Sequence, residues 1–581
     1  MMRDLHLPNL CLQLGSALAL LRLAGHFRSS RRSLFATPLL ACMWSPIVAE
    51  SQDAPPTTEA AWLFPVPGTA AERYVRTLEN VGFLPARSLS VRDGAESWRL
   101  RPREESRVRE LTPPWVDTYH SGPISEARSG LLPLQLQSSY NTAFPFQRGD
   151  GPVWHGRGFT HSLQGGVFGH WGPFSLVLSP IWFRAENQKF LLASNGMDGD
   201  GQFRSPLDPL RIDQPQRFGE DAYQGFSLGS SSFRISLSKL TVGVSTTPQQ
   251  WGPGDLHPLV MGAGAGGIPH TFVGTNAPVG VGVGTIDLRY MAGRTERSDW
   301  FGLTGQDRFA LLNGFVLTFR PRWISGLELG ATRLFHSPWP SDDQSMRDLL
   351  VKPFEGVLKS GLPGVNARTD DQFASVFARW LIVPAGAELW FEFVRGDHSY
   401  DVRWLAVEPE DFGGYAVGLR KTWRSRSVLT VLRAETVVSG VTHRERGGAR
   451  LFLNNGAFPL YPQSQPLIGG WTHKGQLLTT SAGPFGNGQS LGVDRYTGSG
   501  AWSLGLDRSI VRDRTLGPVP EEAGDIDVLY VASGSWSRFL GKWDATAALD
   551  WALNLNRYLG SDETNLRFRV TASRRFVRSP R

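Results

Sequence analysis

Apolar and polar residues alternate with a period of two along most of this chain. From Trp543 to Arg557 the odd positions are Trp543, Ala545, Ala547, Leu549, Trp551, Leu553 and Leu555. The even positions include Asp544, Thr546, Asp550, Asn554 and Asn556. Leu566, Phe568, Val570 and Ala572 alternate with Arg567, Arg569 and Thr571, and Ala387, Leu389, Phe391 and Phe393 with Glu388 and Glu392. Ile286, Leu288, Tyr290 and Ala292 alternate with Asp287 and Arg289. Phe233–Leu237 and Trp502–Asp507 repeat the pattern. Successive side chains of a strand point to opposite faces, so these segments make sheets with one apolar and one polar face.

Two architectures fit such a sheet: a soluble antiparallel sandwich, or a membrane barrel with lipid outside. Three features favour the barrel. Full charges sit in mid-strand, as a polar interior tolerates. The segments run to about 10 residues, against about 5–6 for an ordinary soluble strand. The chain also ends close to an aromatic, Phe576, placed in its last strand. Between 131 and 577 there is room for about sixteen to eighteen strands, which enclose a lumen wide enough for water unless loops or a plug fill it. Pro384-Ala385-Gly386 and Arg424-Ser425-Arg426 read as short turns, whereas Glu186–Ser230, Pro338–Gln372 and Gly440–Gly498 read as long polar loops. Outer-membrane barrels show this inequality, with the long loops extracellular. The expected fold class is an all-β transmembrane antiparallel barrel with a small N-terminal helical segment.

Composition agrees. The chain has 65 Gly and 20 Trp, with 19% charged residues. Tryptophan suits the two membrane interfaces, and glycine suits tight turns. A mean hydropathy of −0.21 resembles that of a soluble protein. It is equally expected of a barrel, in which every second strand residue faces inward. No apolar run of about 20 residues marks a membrane helix. Of the 60 basic and 53 acidic residues, five Arg and one Asp lie in 1–49, so 55 and 52 remain, a net +3. No basic run accompanies them, and no nucleic-acid partner is expected.

Residues 1–49 read as a leader containing a signal peptide. Arg28, Arg31 and Arg32 precede the apolar stretch Leu34–Ala49, which ends in Pro46-Ile47-Val48-Ala49. Leu39-Leu40-Ala41-Cys42 also has the shape of a lipoprotein box. Cys11 and Cys42 are the only cysteines, so the chain beyond the leader has no thiolate chemistry and no disulfide framework. Residues 50–125 form a periplasmic segment with helical character. Tyr74, Val75, Leu78 and Val81 share one helical face, and Gly82 is placed to end the helix. An Arg- and Glu-rich stretch to about Glu110 has the composition of a second short helix.

The most distinctive local stretch is Gln249-Gln250-Trp251-Gly252-Pro253-Gly254, followed by His257-Pro258-Leu259-Val260-Met261 and Ile268-Pro269-His270-Thr271-Phe272. It directly follows a strand, Leu240–Ser245. This resembles the capsule-assembly Wzi family of outer-membrane proteins, whose members carry a Trp-Gly-Pro-Gly turn after a strand. Phe183-Arg184-Ala185-Glu186-Asn187, Gly326-Leu327-Glu328-Leu329-Gly330 with Arg333, and Trp390-Phe391-Glu392-Phe393 leading to Asp397 are further family-like pieces. Where family members have an Asn-containing run, this chain has Gly262-Ala263-Gly264-Ala265-Gly266-Gly267. Ligand contacts made by such asparagines therefore do not carry over. The resemblance spans about residue 60 to the C-terminus. It implies an 18-stranded barrel with a periplasmic helical element, acting as a surface lectin that holds or helps assemble capsular polysaccharide.

Trp251-Gly252-Pro253-Gly254 supports two roles. Proline fixes φ, glycines admit unusual φ, and a buried Trp251 anchors a turn. Alternatively, Trp251 stacks on a sugar while Asp255 or His257 bonds its hydroxyls. Trp182, Trp339 and Trp471 join these as stacking candidates in or near loops. Asp287, Arg289, Glu388, Glu392, Arg395, Asp550, Arg567 and Arg569 are assigned to the lumen, where they either line a path for an anionic polymer or pair across strands. Gly262, Gly264 and Gly267 match a dinucleotide fingerprint only by letter, since no βαβ unit surrounds them. No catalytic residue, metal site or cofactor is expected. Glu388 and Glu392 lie about 13 Å apart along a strand, too far for a glycosidase pair. The expected function is polysaccharide binding in support of capsule assembly. A porin-like channel and an outer-membrane lipid or glycan hydrolase are the alternatives. Capsular or extracellular polysaccharide, outer-membrane lipid and the barrel-assembly machinery are the expected partners.

Overall fold

The structure is a computed structural model. It describes residues 67–84, 86, 88, 92–93 and, apart from isolated positions and the breaks 341–345, 355–370, 397–401, 408–412, 440–468, 483–486 and 514–525, residues 129–576. The leader 1–49, both cysteines and most of 50–125 lie outside the described residues.

Alternation gives what it requires: a closed antiparallel barrel of 18 strands. In chain order the wall is built from β1 (Ser129–Asn141), β2 (Gly158–Trp171), β3 (Phe174–Leu178 continued by Ile181–Ala185) and β4 (Tyr223–Ser227 continued by Ser232–Leu237). Next come β5 (Leu240–Ser245), β6 (His270–Thr275 continued by Val279–Gly280), β7 (Gly284–Glu296), β8 (Phe309–Pro321) and β9 (Leu327–Pro338). The circuit continues through β10 (Asp371–Ile382), β11 (Ala387–Arg395), β12 (Gly413–Ser425), β13 (Val428–Val438) and β14 (Asn487–Thr497). It ends with β15 (Gly500–Asp513), β16 (Ile526–Leu540), β17 (Trp543–Leu555) and β18 (Glu563–Arg574). Each strand pairs with its sequence neighbours, and β18 closes on β1 with Leu134 opposite Arg574 and Asn141 opposite Arg567. Pro133 has no N–H for the ladder, and the β1–β2 register shifts between Leu132 and Gln135, at that residue. Phe576, expected inside the last strand, lies two residues beyond it and is exposed.

Connections alternate between short and long. Residues 172–173, 238–239, 322–326, 383–386, 498–499 and 541–542 turn tightly at one end of the barrel. Residues 142–157, 186–222, 246–269, 297–308, 339–370 and 439–486 connect strands at the other. Around the outside, Leu163, Val167, Phe226, Val244, Leu288, Leu317, Leu329, Leu389, Phe391, Leu504 and Leu549 form an exposed apolar band. Trp171, Trp323, Trp380, Trp423 and Trp536 ring its short-turn edge, where amphipathic indoles suit a membrane interface. No described helix is long and apolar enough to cross a membrane, which says nothing against a barrel.

The interior differs from a water-filled tube. Residues 246–269, between β5 and β6, fold into the lumen, and 469–479 with Ala482, between β13 and β14, join them. Together with wall residues they form one buried apolar cluster that includes Trp251, Leu259, Val260, Met261, Ile268, Trp471 and Leu478. Inward-facing Met291, Val316, Leu334, Phe373 and Val394 complete it from the wall. An 18-stranded barrel is wide enough to hold water, and here protein takes up that space instead.

The helix α1 (Ala70–Asn80) plugs the short-turn end. Thr69 caps it, its hydroxyl accepting from the Glu72 N–H at 3.4 Å. Gly82, at φ +76°, ends it with Phe83 N–H bonded to Leu78 O at 2.9 Å. Tyr74 and Leu78 pack against Leu429, Val431 and Tyr496 of the wall. The apolar face behaves as expected, but Arg76, Glu79 and Asn80 on the other faces are buried as well. The helix lies within the barrel rather than against it. Arg92–Asp93, in the region expected to be a second helix, instead pairs as a short strand with Gln249–Gln250 of the plug.

Candidate functional site

The Trp-Gly-Pro-Gly stretch is the keystone of the plug. Trp251 is 0% exposed and donates its indole N–H to Gln249 Oε1 at 3.0 Å. Gly252 sits at φ +88°, a conformation strained for any other residue, and a Cβ there would also come 2.9 Å from Glu392 Oε2. Pro253 O accepts from Arg76 of α1 at 3.2 Å, and Gly254 O accepts from Gln250 at 2.6 Å. Glu435 of β13 then accepts the backbone N–H groups of Asp255, Leu256 and His257 at 2.8, 2.8 and 3.1 Å. One wall carboxylate thus holds a whole turn of the plug. Burial alone would raise the pKa of the Asp255 carboxyl. It accepts from Arg420 at 3.1 Å and Arg433 at 3.3 Å, however, and these guanidinium groups hold it well below the usual carboxylate range.

A chain of buried ion pairs continues from there. Arg76 of α1 reaches Glu388 at 2.7 Å; Glu388 also meets Arg379 at 2.7 Å and Arg420 at 3.6 Å. Arg379 returns to Glu79 of α1 at 2.9 Å, and Arg433 reaches Asp494 at 2.6 Å. Helix, plug and wall are therefore locked by one charged network. Charges removed from water need such mutual partners to persist.

A second cluster lies nearer the long-connection end. Asp150 accepts from Arg567 at 2.8 Å and Arg569 at 3.0 Å, and despite burial these hold its carboxyl well below its ordinary pKa. Ser139 Oγ lies 2.7 Å from His155 Nδ1, and His155 Nε2 lies 3.9 Å from Asp150. The residue types are those of a nucleophile–base–acid set. Ser139 and His155 are buried, however, and Asp150 is committed to two arginines, so the set is not arranged to activate Ser139 toward a substrate. Burial and the nearby Arg567 lower the His155 pKa to about 3, so the 3.9 Å approach to Asp150 is not an ion pair at neutral pH.

At the mouth, three connections interlock. Asp213, in 186–222, accepts from the Ser298 backbone N–H at 2.6 Å, and its own N–H donates to Gly469 O at 3.0 Å. Arg297 donates to Gly470 O and Thr472 O at 3.2 and 3.3 Å. Asn187, of the Phe-Arg-Ala-Glu-Asn piece, sits at φ +53° and donates to Phe218 O, Gly219 O and Asp221 O. The result is a lid over the plug. Half-buried Trp300 lies on it, its ring edge-on to Phe203 at 5.6 Å. Trp339 stands at the rim, under Arg294 at 5.9 Å.

This is a filled, outer-membrane-type barrel with a latched mouth. The fold resembles that of Wzi. Wzi of Escherichia coli is an outer-membrane protein involved in group 1 capsule assembly and described as a carbohydrate-binding β-barrel. The chain is similar to it with a TM-score of 0.55 and 14% identity, over 88% of this chain and 99% of that one. It is also similar to OccAB2 of Acinetobacter baumannii, with TM-score 0.37 and 9% identity over 77% and 97% of the two chains. OprD of Pseudomonas aeruginosa gives 0.35 and 9% over 78% and 94%. No family model matches the sequence, and no curated protein matches it.

The Wzi-like barrel brings some expected residues together and separates others. Trp251, Asp255 and His257 all lie buried inside the plug. Trp471 is 1% exposed, donates to Val260 O at 2.9 Å and packs edge-on to Phe373. A buried indole has no face to lend a sugar, so in this structure these four residues hold the plug instead. Trp182 is a correction of another kind. It lies on β3, not in a loop, between Leu163 and Phe226 of the exposed band. Of the expected stacking residues, Trp339 alone stands half-buried at the rim.

Of the lumen charges, Glu388, Arg567 and Arg569 pair as described, and Asp550 lies opposite Arg567 in the β17–β18 register. Arg289 stacks on Phe272 at 4.4 Å, Asp287 accepts from the Thr275 hydroxyl, and Glu392 backs Gly252. Arg395 is corrected: it shares the outward parity of Phe391 and Phe393. Sequence pattern alone did not single out Glu435 or Arg420. The available signal was an acid and a base among the mainly small or apolar inward residues of β13 and β12. Among the described residues no group of His, Cys, Asp or Glu is placed to hold a metal ion.

Proposed function

We propose that this protein is a sealed outer-membrane barrel that holds surface polysaccharide at its long-connection end, with that end extracellular. The filled lumen carries this reading. Trp251, Leu259, Val260, Met261 and Trp471 occupy the space an aqueous pore would need, and α1 closes the other end. The described residues leave a solute path little room to run, whereas a rigid, latched mouth gives a polymer a fixed surface. The description of Wzi as carbohydrate-binding supports the same reading. Trp339 and Trp300 are the residues for sugar stacking, and the rim cation Arg294, over the Trp339 ring, suits an acidic polymer.

Folded protein is expected to bind purified capsular or extracellular polysaccharide saturably while showing no steady conductance in planar bilayers. Trp339→Ala with Trp300→Ala should weaken binding at least about fivefold, as stacking contacts contribute about 0.5–1.5 kcal/mol each. Steady conductance steps without polymer binding would overturn the proposal and favour a channel.

A further inference from the structure

Part of the connection after β9 lies against the outside of the barrel rather than over its mouth. Met346–Val351 makes a short helix and Lys352–Phe354 a tighter turn. Both rest on outward-facing side chains of β7, β8 and β9. Tyr290, Phe315 and Arg333 stand opposite one another in a single cross-strand row. Each shares the outward parity of an exposed band residue on its own strand: Leu288 on β7, Leu317 on β8 and Leu329 on β9. On β9 the outward residues are thus Leu329, Ala331, Arg333 and Phe335. The alternate residues Met291, Val316 and Leu334 face the core of the lumen.

The docking is specific. The Tyr290 hydroxyl donates to Leu350 O at 2.8 Å, Asn313 Nδ2 donates to the same carbonyl at 3.5 Å, and Arg333 Nη1 donates to Pro353 O at 3.3 Å. The Phe354 ring stacks on Phe315 at 5.4 Å and on Tyr290 at 5.7 Å. Met346, Val351 and Phe354 remain exposed on the far side, Phe354 at 67%. Irregular backbone survives in lipid only when its polar groups are satisfied. Here the carbonyls at the end of a short helix, which have no helical partner, are taken by wall side chains. Outward Asn313, Arg333 and Gln372 are buried beneath the same region, where bare polar groups would be costly against acyl chains.

We propose that residues 346–354 form a flap lying in the bilayer, with Met346, Val351 and Phe354 inserted among lipid acyl chains as a continuation of the apolar band. The proposal rests on the membrane placement of the barrel and is independent of polysaccharide binding.

The test uses the full chain with Cys11 and Cys42 replaced by serine and one new cysteine, Phe354→Cys or Val351→Cys, carrying an environment-sensitive fluorophore. Val351→Cys keeps the Phe354 stacking intact. The protein is refolded into phosphatidylcholine vesicles containing doxyl-labelled lipid. Leu329→Cys, in the band, and Leu191→Cys, in an exposed connection, serve as references. Both flap probes should be quenched by doxyl lipid as strongly as the Leu329→Cys probe and should resist aqueous iodide. Iodide quenching like that of the Leu191→Cys probe overturns the proposal. Protection from both quenchers also overturns it, in favour of a protein partner on the flap.

Discussion

Glu435 and Gly252 show how single residues fix the plug. A carboxylate that accepts three backbone N–H groups cannot be matched by an amide, which presents one oxygen and an NH2 group. Glu435→Gln therefore turns a donor against the Asp255–His257 backbone and leaves at least one buried N–H unsatisfied. A cost of about 1–3 kcal/mol is expected. It should appear as faster amide hydrogen exchange at 255–257, with the strands of the wall little changed. Gly252→Ala should act on the same turn by strain, since φ is +88° and the new Cβ would press on Glu392. Unchanged exchange at 255–257 in both variants would show that the turn is held by something else. Residue roles of this kind are only partly legible in the sequence. The Trp-Gly-Pro-Gly letters announce a constrained turn, but not that it sits inside a barrel. Burial of Trp251 and Trp471 depends on two segments, far apart in sequence, meeting in the lumen, and no local periodicity encodes that. Trp182 reads as lying in or near a loop because the break in β3 at Ser179-Pro180 disguises the strand that resumes at Ile181.

Among elements, α1 is the most instructive. Its apolar spacing and Gly82 are readable, and the helix forms where they indicate. Its surroundings are not, because Arg76, Glu79 and Asn80 look like a solvated face until their partners on β10, β11 and β12 are known. Those partners make α1 a bolt. Arg76→Met removes the link to Glu388 and Pro253 O but leaves Glu388 with Arg379 and Arg420. The loss should therefore fall short of the about 3–5 kcal/mol seen when a buried charge is stranded completely. Arg76→Met combined with Glu388→Gln should show a coupling of about 0.5–3 kcal/mol in a double-mutant cycle. Thermal unfolding supplies the energies, and proteolysis within 67–84 reports release of the helix. Strict additivity of the two substitutions would mean that the 2.7 Å contact does not hold α1 in place.

For the molecule as a whole, the buried histidines of the connections make closure depend on pH. Burial lowers the pKa of His155 to about 3, of His257 to about 4 and of His473 to about 3, with Arg567, Arg148 and Lys474 respectively opposing protonation further. In the unfolded chain each ring titrates near about 6.5. The folded form therefore keeps its full stability above about pH 6.5 and loses it as the pH falls toward the folded values, by up to about 1.4 kcal/mol per pH unit for each histidine. Asp150 and Asp255 have lowered pKa values, so their contribution is complete above about pH 4 and falls only below it. From about pH 6.5 to 4 the histidines therefore lose stability without a matching loss from these two aspartates. All three lie in or beside the material that fills and covers the lumen, so acidification should loosen plug and lid before it unfolds the wall. Hydrogen exchange at 246–269 and 469–482 should quicken between about pH 7.5 and about pH 5 while the wall strands stay protected. His155→Gln, His257→Gln and His473→Gln in one chain should flatten that dependence. If the combined variant keeps the same pH response, the closure is controlled by other groups.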